Sequence, residues 1–442
     1  MTTVRLRRGA TALAATAVLL SAGSPAAYAA PSPAPSPSVP VAGMYGTEDP
    51  TYDGVWRQSL AFMAQQVSGV EPAPKAVDWL LEQQCASGGF ASFRPDPGKP
   101  CGPAATLDTN ATAVAVQALS GVNKPEAAEA AEPGTDPVSK AMAAGAAWLK
   151  SVQNKDGGWS YHPGAPSDAN STSLVISALA ATGHRPGDLR SSGGKTPYDA
   201  LLGFAIPCDA EQGAGAFAYQ PDKAGKLVAN ADATAAAVLA GLGKDLQTRG
   251  AKPDQKPTCE TPAQQTAERA ARNGAAYLAT ALAKNGHLDL PPMPGTEAGT
   301  GTVTGTGTQA GAPRPDVGNT ADAVIALGAA GHIGAAAPAM AWLEKNATAW
   351  ATENGPAAYA QLILAAHTVG ADARDFGGVD LVQRLNATGP APKSVPLAEE
   401  HQEDAAASDE PGFNVWLAVA IFLVAGTGIG FLLSGRKRNR QL

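Results

Sequence analysis

The chain has 442 residues, of which 44% are hydrophobic, 16% charged and only 5% aromatic, with a formal net charge of −7. Seven of its 32 basic residues stand at the two ends: without Arg5, Arg7 and Arg8 the charge falls from −7 to −10, and without Arg436, Lys437, Arg438 and Arg440 it falls to −14. A body that acidic repels phosphate backbones, which excludes nucleic acid as a partner.

The N-terminus runs from the arginines through the small apolar stretch Gly9 to Ala22 to Ala27-Tyr28-Ala29. This is the order that a signal peptidase reads, so residues 1–29 are expected to be a signal peptide. Pro31 to Pro40 alternate Pro with Ser and Ala, which cannot build a core; 30–51 therefore read as a Pro-rich leader. From Val55 to about Ala387 the chain turns Ala-, Leu- and Val-rich at helical spacing, broken by Gly, Pro and Asp clusters, which predicts an all-α domain over 52–387. Within it, Gly295 to Gly311 is rich in Gly and Thr, and the stretch near 291–315 is expected to be a disordered insertion.

Residues 388–412 form an acidic stalk with Glu399, Glu400, Glu403, Asp404, Asp409 and Glu410. Phe413 to Leu433 follow without a charge, long enough to cross a hydrocarbon core of about 30 Å as a helix. The basic tail 434–442 keeps the cytoplasmic side. The expectation is a single-pass type I protein of the cell membrane with an extracellular ectodomain. Cys85, Cys101, Cys208 and Cys259 make an even set with no C-x-x-C, which favours two disulfides over zinc. Three pairings are open, and the local one, 85 with 101 and 208 with 259, is the most economical.

A unit recurs inside the domain: a helix with an aromatic-Leu pair, a loop with glycines and an aromatic, an Asp/Asn/Thr cluster, then a small-residue helix ending near Gly. One copy reads Trp148-Leu149, Gln153, Gly157-Gly158-Trp159, Asp168-Ala169-Asn170-Ser171-Thr172 and Gly183. An earlier copy reads Trp79-Leu80, Gln84, Gly88-Gly89-Phe90, Asp108-Thr109-Asn110-Ala111-Thr112 and Gly121. Weaker copies carry Phe217, Asn230, Asp232 and Thr234; then Tyr277-Leu278, Asp316 and Thr320; then Trp342-Leu343, Trp350 and the helix Tyr359 to His367. The Asp, Asn and Thr residues are helix N-caps and the trailing glycines C-terminal turns. Units of this kind cannot bury their apolar faces singly and must stack. Tyr52 to Val70 looks like a second helix without its partner and Val379 to Leu385 like a first helix without its own, so the two ends are expected to meet as a sixth hairpin and close a ring.

The stretches with Trp79-Leu80, Gln84, Gly88-Gly89-Phe90 and with Trp148-Leu149, Gln153, Gly157-Gly158-Trp159 resemble the QW motif of the prenyltransferase/squalene oxidase (terpenoid cyclase) repeat superfamily. The resemblance implies an α/α toroid of about six hairpins, with the glutamine and the terminal aromatic fastening helix ends to loops. It also covers triterpene cyclases, prenyltransferase β subunits, thioester domains and corrinoid-carrying transcobalamins, so fold alone does not choose a function.

The family's chemical groups are missing. There is no D-x-D-D acid cluster, no D-D-x-x-D, no cysteine in the D-x-C position of a zinc site and no thioester G-C-G-E-Q. The expectation leans to a non-catalytic surface protein without cofactor or metal that captures a small ligand, with transcobalamin-like corrinoid capture as the most concrete version; a corrinoid or isoprenoid ligand or a surface transporter is the expected partner besides the membrane. An extracytoplasmic terpenoid cyclase or prenyltransferase-like enzyme acting on isoprenoids, and a scaffold ring for protein partners, are the alternatives. The resemblance gathers the starts of the inner helices at one mouth, and the candidate ligand-binding residues there are Asp108, Asn110, Tyr161, His162, Asp168, Asn170, Tyr219, Asn230, Asp232 and Asp316. For the Asp and Asn positions, a purely capping role stands beside the ligand-binding one.

Overall fold

A computed structural model describes residues 41–102, 106–122, 136–250, 256–261, 263–290 and 314–394. The expected signal peptide, residues 291–313 of the expected insertion, and the expected stalk beyond 394, span 413–433 and tail lie outside the described residues. Among the described residues no helix is long and apolar enough to cross a membrane.

The all-α expectation holds, and two kinds of helix alternate along the chain. α2 (Pro74–Glu82), α4 (Pro137–Ser151), α6 (Pro197–Leu202) and α8 (Ala267–Leu282) bury one side and expose the other. By contrast, α1 (Gly54–Val67), α3 (Thr109–Ser120), α5 (Ala169–Ala181), α7 (Ala231–Gly241) and α9 (Val317–Ala329) are buried over most of their circumference. A helix apolar all round has no face to give to water and must be enclosed by others. α10 (Ile333–Val369) contains both kinds, because it breaks at Gly355, whose φ of 72° and ψ of −152° suit glycine, and Pro356 then opens a second, buried half. α11 (Leu381–Asn386) is last.

The enclosed helices contact one another in order: α1 with α3, α3 with α5, α5 with α7, α7 with α9, α9 with α10, and α10 again with α1. The circuit is closed. The half-exposed helices lie against it, and α11 packs on α10 and α1, so the two ends of the domain meet as the lone helices of the sequence require.

Short antiparallel pairs lead into the inner helices: β1 (Phe90–Ala91) with β2 (Leu107–Asp108), β3 (Phe217–Ala218) with β4 (Ala229–Asn230), and β5 (Leu288–Asp289) with β6 (Pro315–Asp316). Register places Phe90 opposite Asp108, Phe217 opposite Asn230 and Leu288 opposite Asp316, so each core residue faces a helix cap. Four residues beyond each cap stands a threonine whose hydroxyl accepts from the core residue's backbone: Phe90 N to Thr112 Oγ1 at 2.9 Å, Trp159 N to Thr172 Oγ1 at 3.0 Å, Phe217 N to Thr234 Oγ1 at 2.9 Å, and Leu288 N to Thr320 Oγ1 at 3.0 Å. The recurring Asp/Asn-x-x-x-Thr spacing is therefore a clamp: the first residue caps the helix and the threonine holds the incoming loop.

The motif glutamines do what the resemblance implies. Gln84 Nε2 donates to Gly88 O at 2.9 Å and across to Ala141 O of α4 at 2.8 Å, and Gln153 Nε2 donates to Gly157 O at 2.7 Å. Phe90 and Trp159 are fully buried, and the Trp159 indole donates to Leu149 O at 2.7 Å. Gly88 and Gly157 take φ of 95° and 94°, and a Cβ on either would collide with the carbonyl of Ala144 or Thr196 in the next outer segment.

The leader and the stalk are not wholly free of the ring. Tyr45 is fully buried and Gly46 N donates to Thr388 O at 2.9 Å, while Lys393 pairs with Glu71. Buried Arg57 draws residues 48–53 onto α1 through Asp53 at 2.9 Å and Glu48 at 3.3 Å. Both disulfides take the local pairing, Cys85 with Cys101 and Cys208 with Cys259.

Candidate functional site

The helix ring surrounds a cavity of about 490 Å³ to which α1, α3, α5, α7, α9 and both halves of α10 contribute. The volume falls within the range of about 300–1,000 Å³ usual for small-molecule sites. Which residues reach it follows from helix geometry. On α3, α5 and α7 the second residue after the cap faces inward: Asn110 after Asp108, Asn170 after Asp168, Asp232 after Asn230. Further lining residues follow at three to four residue steps, Ser173, Leu174 and Ser177 on α5, Ala235, Ala236 and Leu239 on α7, and Gln117 on α3, which is one face of each helix.

On α9 the same offset from Asp316 falls on Gly318, and the polar group appears one turn deeper as Asp322. Gln361 from the second half of α10 binds both: its Nε2 donates to Asp322 Oδ1 at 2.7 Å and to Gly318 O at 3.0 Å. Trp56 of α1 and Trp350 and Asn354 of α10 complete the wall with Ile325, Leu60 and Leu364.

The polar part of this wall is under-used. Asn110 Oδ1, Gln117 Oε1, Asn170 Oδ1 and Ser173 Oγ are buried and have no hydrogen-bond partner in the structure. Gln117 and Ser173 are each 1% exposed, so bulk water does not satisfy them. Native interiors leave few such atoms, and each unpaired one costs about 1–3 kcal/mol, so four on residues around one cavity set this part of the interior apart.

The electrostatics point the same way. Burial pushes the Asp322 carboxyl up to about 7, the charges of Asp232 and Asp316 add to the rise, and the Gln361 amide opposes it. Asp232 is also raised, by burial and by Asp316, against the hydrogen bond that Asn170 Nδ2 donates to it. None of the residues lining the cavity is a lysine, arginine or histidine.

Of the candidate residues, Asn110, Asn170 and Asp232 line the cavity. Asp108, Asp168, Asn230 and Asp316 do not: each spends its side chain on helix N–H groups, Asp108 accepting from Asn110 and Ala111, Asp168 from Ser171, Asn230 from Ala233 and Asp316 from Asn319. Tyr161, His162 and Tyr219 are also outside the lining. The carbonyls of Tyr161 and Tyr219 accept from Thr109 N and Ala169 N at the starts of α3 and α5, and their side chains are 39% and 43% exposed. His162 is exposed and stacks edge-on against Tyr161. Asp322, Gln361, Gln117, Ser173 and Trp56 are wall residues that the motifs did not single out, and Trp350, a marker of the fifth repeat copy, was not among the candidate site residues. Among the described residues no group of three or more His, Cys, Asp or Glu converges on a metal position.

No family model matches this chain, and no curated protein matches it. Among solved structures it is similar to a sugar epimerase from a ruminal bacterium, with 15% identity and a TM-score of 0.39 over 69% of this chain and 80% of that one. It is also similar to a protein from Actinoplanes, with 17% identity and a TM-score of 0.31 over 70% and 99%. Likeness at this level assigns no activity.

Proposed function

We propose that this chain is a surface-displayed, non-catalytic binding protein, an α/α toroid related to the prenyltransferase and squalene-cyclase repeat, that captures a small molecule in the cavity within its helix ring. The observation that carries this reading is a cavity of about 490 Å³ inside the helix ring, lined by four residues that each hold a buried, unpaired polar atom, Asn110, Gln117, Asn170 and Ser173. Two disulfides support an exported location, with the ring held outside the membrane by the C-terminal segment. An open cavity favours ligand capture over a scaffold role, and its volume favours a compact ligand over a bulky corrinoid. The test is a thermal-shift and calorimetric titration of the full-length chain with cyanocobalamin, farnesol and small polar compounds, repeated on Ala236→Trp, which fills the cavity from α7. Saturable binding that this variant abolishes, at an unchanged melting temperature, is the expected result; binding that survives it locates the ligand elsewhere.

One observation favours a second reading. An aspartic acid held near 7 and facing a cavity is suited to donate a proton at neutral pH, as a terpenoid cyclase-like enzyme requires. Turnover of squalene that disappears in Asp322→Asn would select this reading; inert squalene leaves the binding one.

A further inference from the structure

The reading of the cavity as a binding site leaves the ligand's chemistry open, and the wall constrains it. Two carboxylates, Asp232 and Asp322, face the cavity from adjacent helices, and Asp316 lies close enough to act on both. Their hydrogen-bond partners are the neutral amides of Asn170 and Gln361, so no side chain on the wall balances their charge. Like charges placed together in a site of low dielectric repel, and the folded chain relieves this only by taking up a proton or a cation.

Three of the four unpaired wall atoms are carbonyl oxygens, Asn110 Oδ1, Gln117 Oε1 and Asn170 Oδ1, and the fourth is the Ser173 hydroxyl, which also accepts. The wall is therefore rich in acceptors. Two indoles, Trp56 and Trp350, stand among them, and indole is the best aromatic partner for a cation. Among the described residues no three carboxylates or imidazoles converge as metal ligands require. From this combination we infer that the cavity selects a small organic ammonium ion, whose charge is met by Asp232 and Asp322, whose N–H or O–H donors are offered to an acceptor-rich wall, and whose carbon skeleton lies against Trp56 and Trp350.

This inference rests on the binding reading, and the experiment separates the two. Calorimetric titration of the full-length chain is made with choline, spermidine, myo-inositol and 3,3-dimethyl-1-butanol, the uncharged isostere of choline. Trp350 fluorescence, identified by its loss in Trp350→Phe, is followed in parallel. At least one of the two cations is expected to bind about ten-fold or more tighter than either neutral compound, as a desolvated ion pair with an indole contact provides. Asp232→Asn and Asp322→Asn, checked for an unchanged fold by circular dichroism, are each expected to weaken that cation about ten-fold and to weaken neutral compounds by less. Neutral compounds binding as tightly as the cations, with a Trp350 response, overturn the ammonium inference and leave the cavity as a binding site. No heat and no Trp350 response with any of the four overturns the inference and counts against the binding reading too.

Discussion

A single side-chain nitrogen of Gln361 donates to Asp322 Oδ1 at 2.7 Å and to the Gly318 carbonyl at 3.0 Å, so the last inner helix holds the acid of its neighbour with a neutral amide. An amide stabilises a carboxylate less than a cation does, so burial and the neighbouring charges of Asp232 and Asp316 set the balance and bring Asp322 to about 7.

That shift fixes a pH dependence. An aspartic acid in the unfolded chain titrates near 4, so between about pH 4 and pH 7 the folded chain holds a proton that the unfolded one has lost. The stabilisation is fully present below the unfolded value and disappears as pH rises through about 7. Asp322→Asn removes the cost of the buried charge, so it is expected to raise the melting temperature at pH 8 and to change it little at pH 5. At about 1.4 kcal/mol per unit, the gain at pH 8 is at most a few kcal/mol. Melting curves at both pH values decide it: an equal shift at pH 5 and pH 8 would show that the charge is not the cause.

The threonine clamp gives a second expectation. Thr172 is fully buried and its hydroxyl is the acceptor for Trp159 N, a backbone group inside the core. Thr172→Val keeps the shape and orphans that N–H, at a cost of about 1–3 kcal/mol in urea denaturation. Thr280→Val, on the exposed side of α8 where the hydroxyl donates only to Ala276 O one turn back, is the comparison and should stay within about 0.5 kcal/mol. Equal costs would remove the special role of the clamp.

Much of this was readable in the sequence because it is written in backbone chemistry. Asp108, Asp168, Asn230 and Asp316 announce helix starts through their capping types, and Gln84 and Gln153 announce the loop ties through their spacing from glycine. Asn110, Asn170 and Asp232 were legible as site residues only because they stand two positions after those caps. Asp322 was not, since Gly318 occupies the equivalent place and the acid lies a turn deeper inside an Ala-Val-Ile run that reads as packing. Trp350 was legible as a repeat marker but not as a wall residue, and Gln361 not at all: they lie on either side of the break at Gly355, which no turn motif of the other repeats marks. The unpaired state of Gln117 and Ser173 depends on what surrounds them in space, which no local pattern encodes.

The disulfides differ in the length of chain they close, 16 residues for Cys85–Cys101 and 51 for Cys208–Cys259. Loop-closure entropy grows with the logarithm of that length, so the longer loop should be worth about 1 kcal/mol more, on a base of about 3 kcal/mol. Denaturant titration of the two Cys→Ala double variants measures the difference. A larger loss from the 85–101 pair would point to strain or residual structure rather than loop entropy.

The ring closes through Gln65, and this contact makes the last prediction. Gln65 is fully buried on α1, and its Nε2 donates to Asn386 Oδ1 of α11 at 2.7 Å and to the Tyr45 hydroxyl at 2.9 Å. One amide thus joins three segments far apart in sequence, and Leu381, Val382 and Leu385 of α11 are buried beside it. In a closed circuit every inner helix is enclosed by its neighbours, so loss of the last outer helix exposes the apolar flank of α1 and α10 rather than an expendable end. Asn386→Ala leaves Gln65 with Tyr45 alone and is expected to cost about 1–2 kcal/mol. A chain ending at Asp380, which lacks α11 altogether, is expected to lose cooperative melting, whereas one ending at Ser394 keeps every contact named above and should melt as the full chain does. A cooperative transition in the shorter chain would mean that α1 and α10 hold the ring shut without α11.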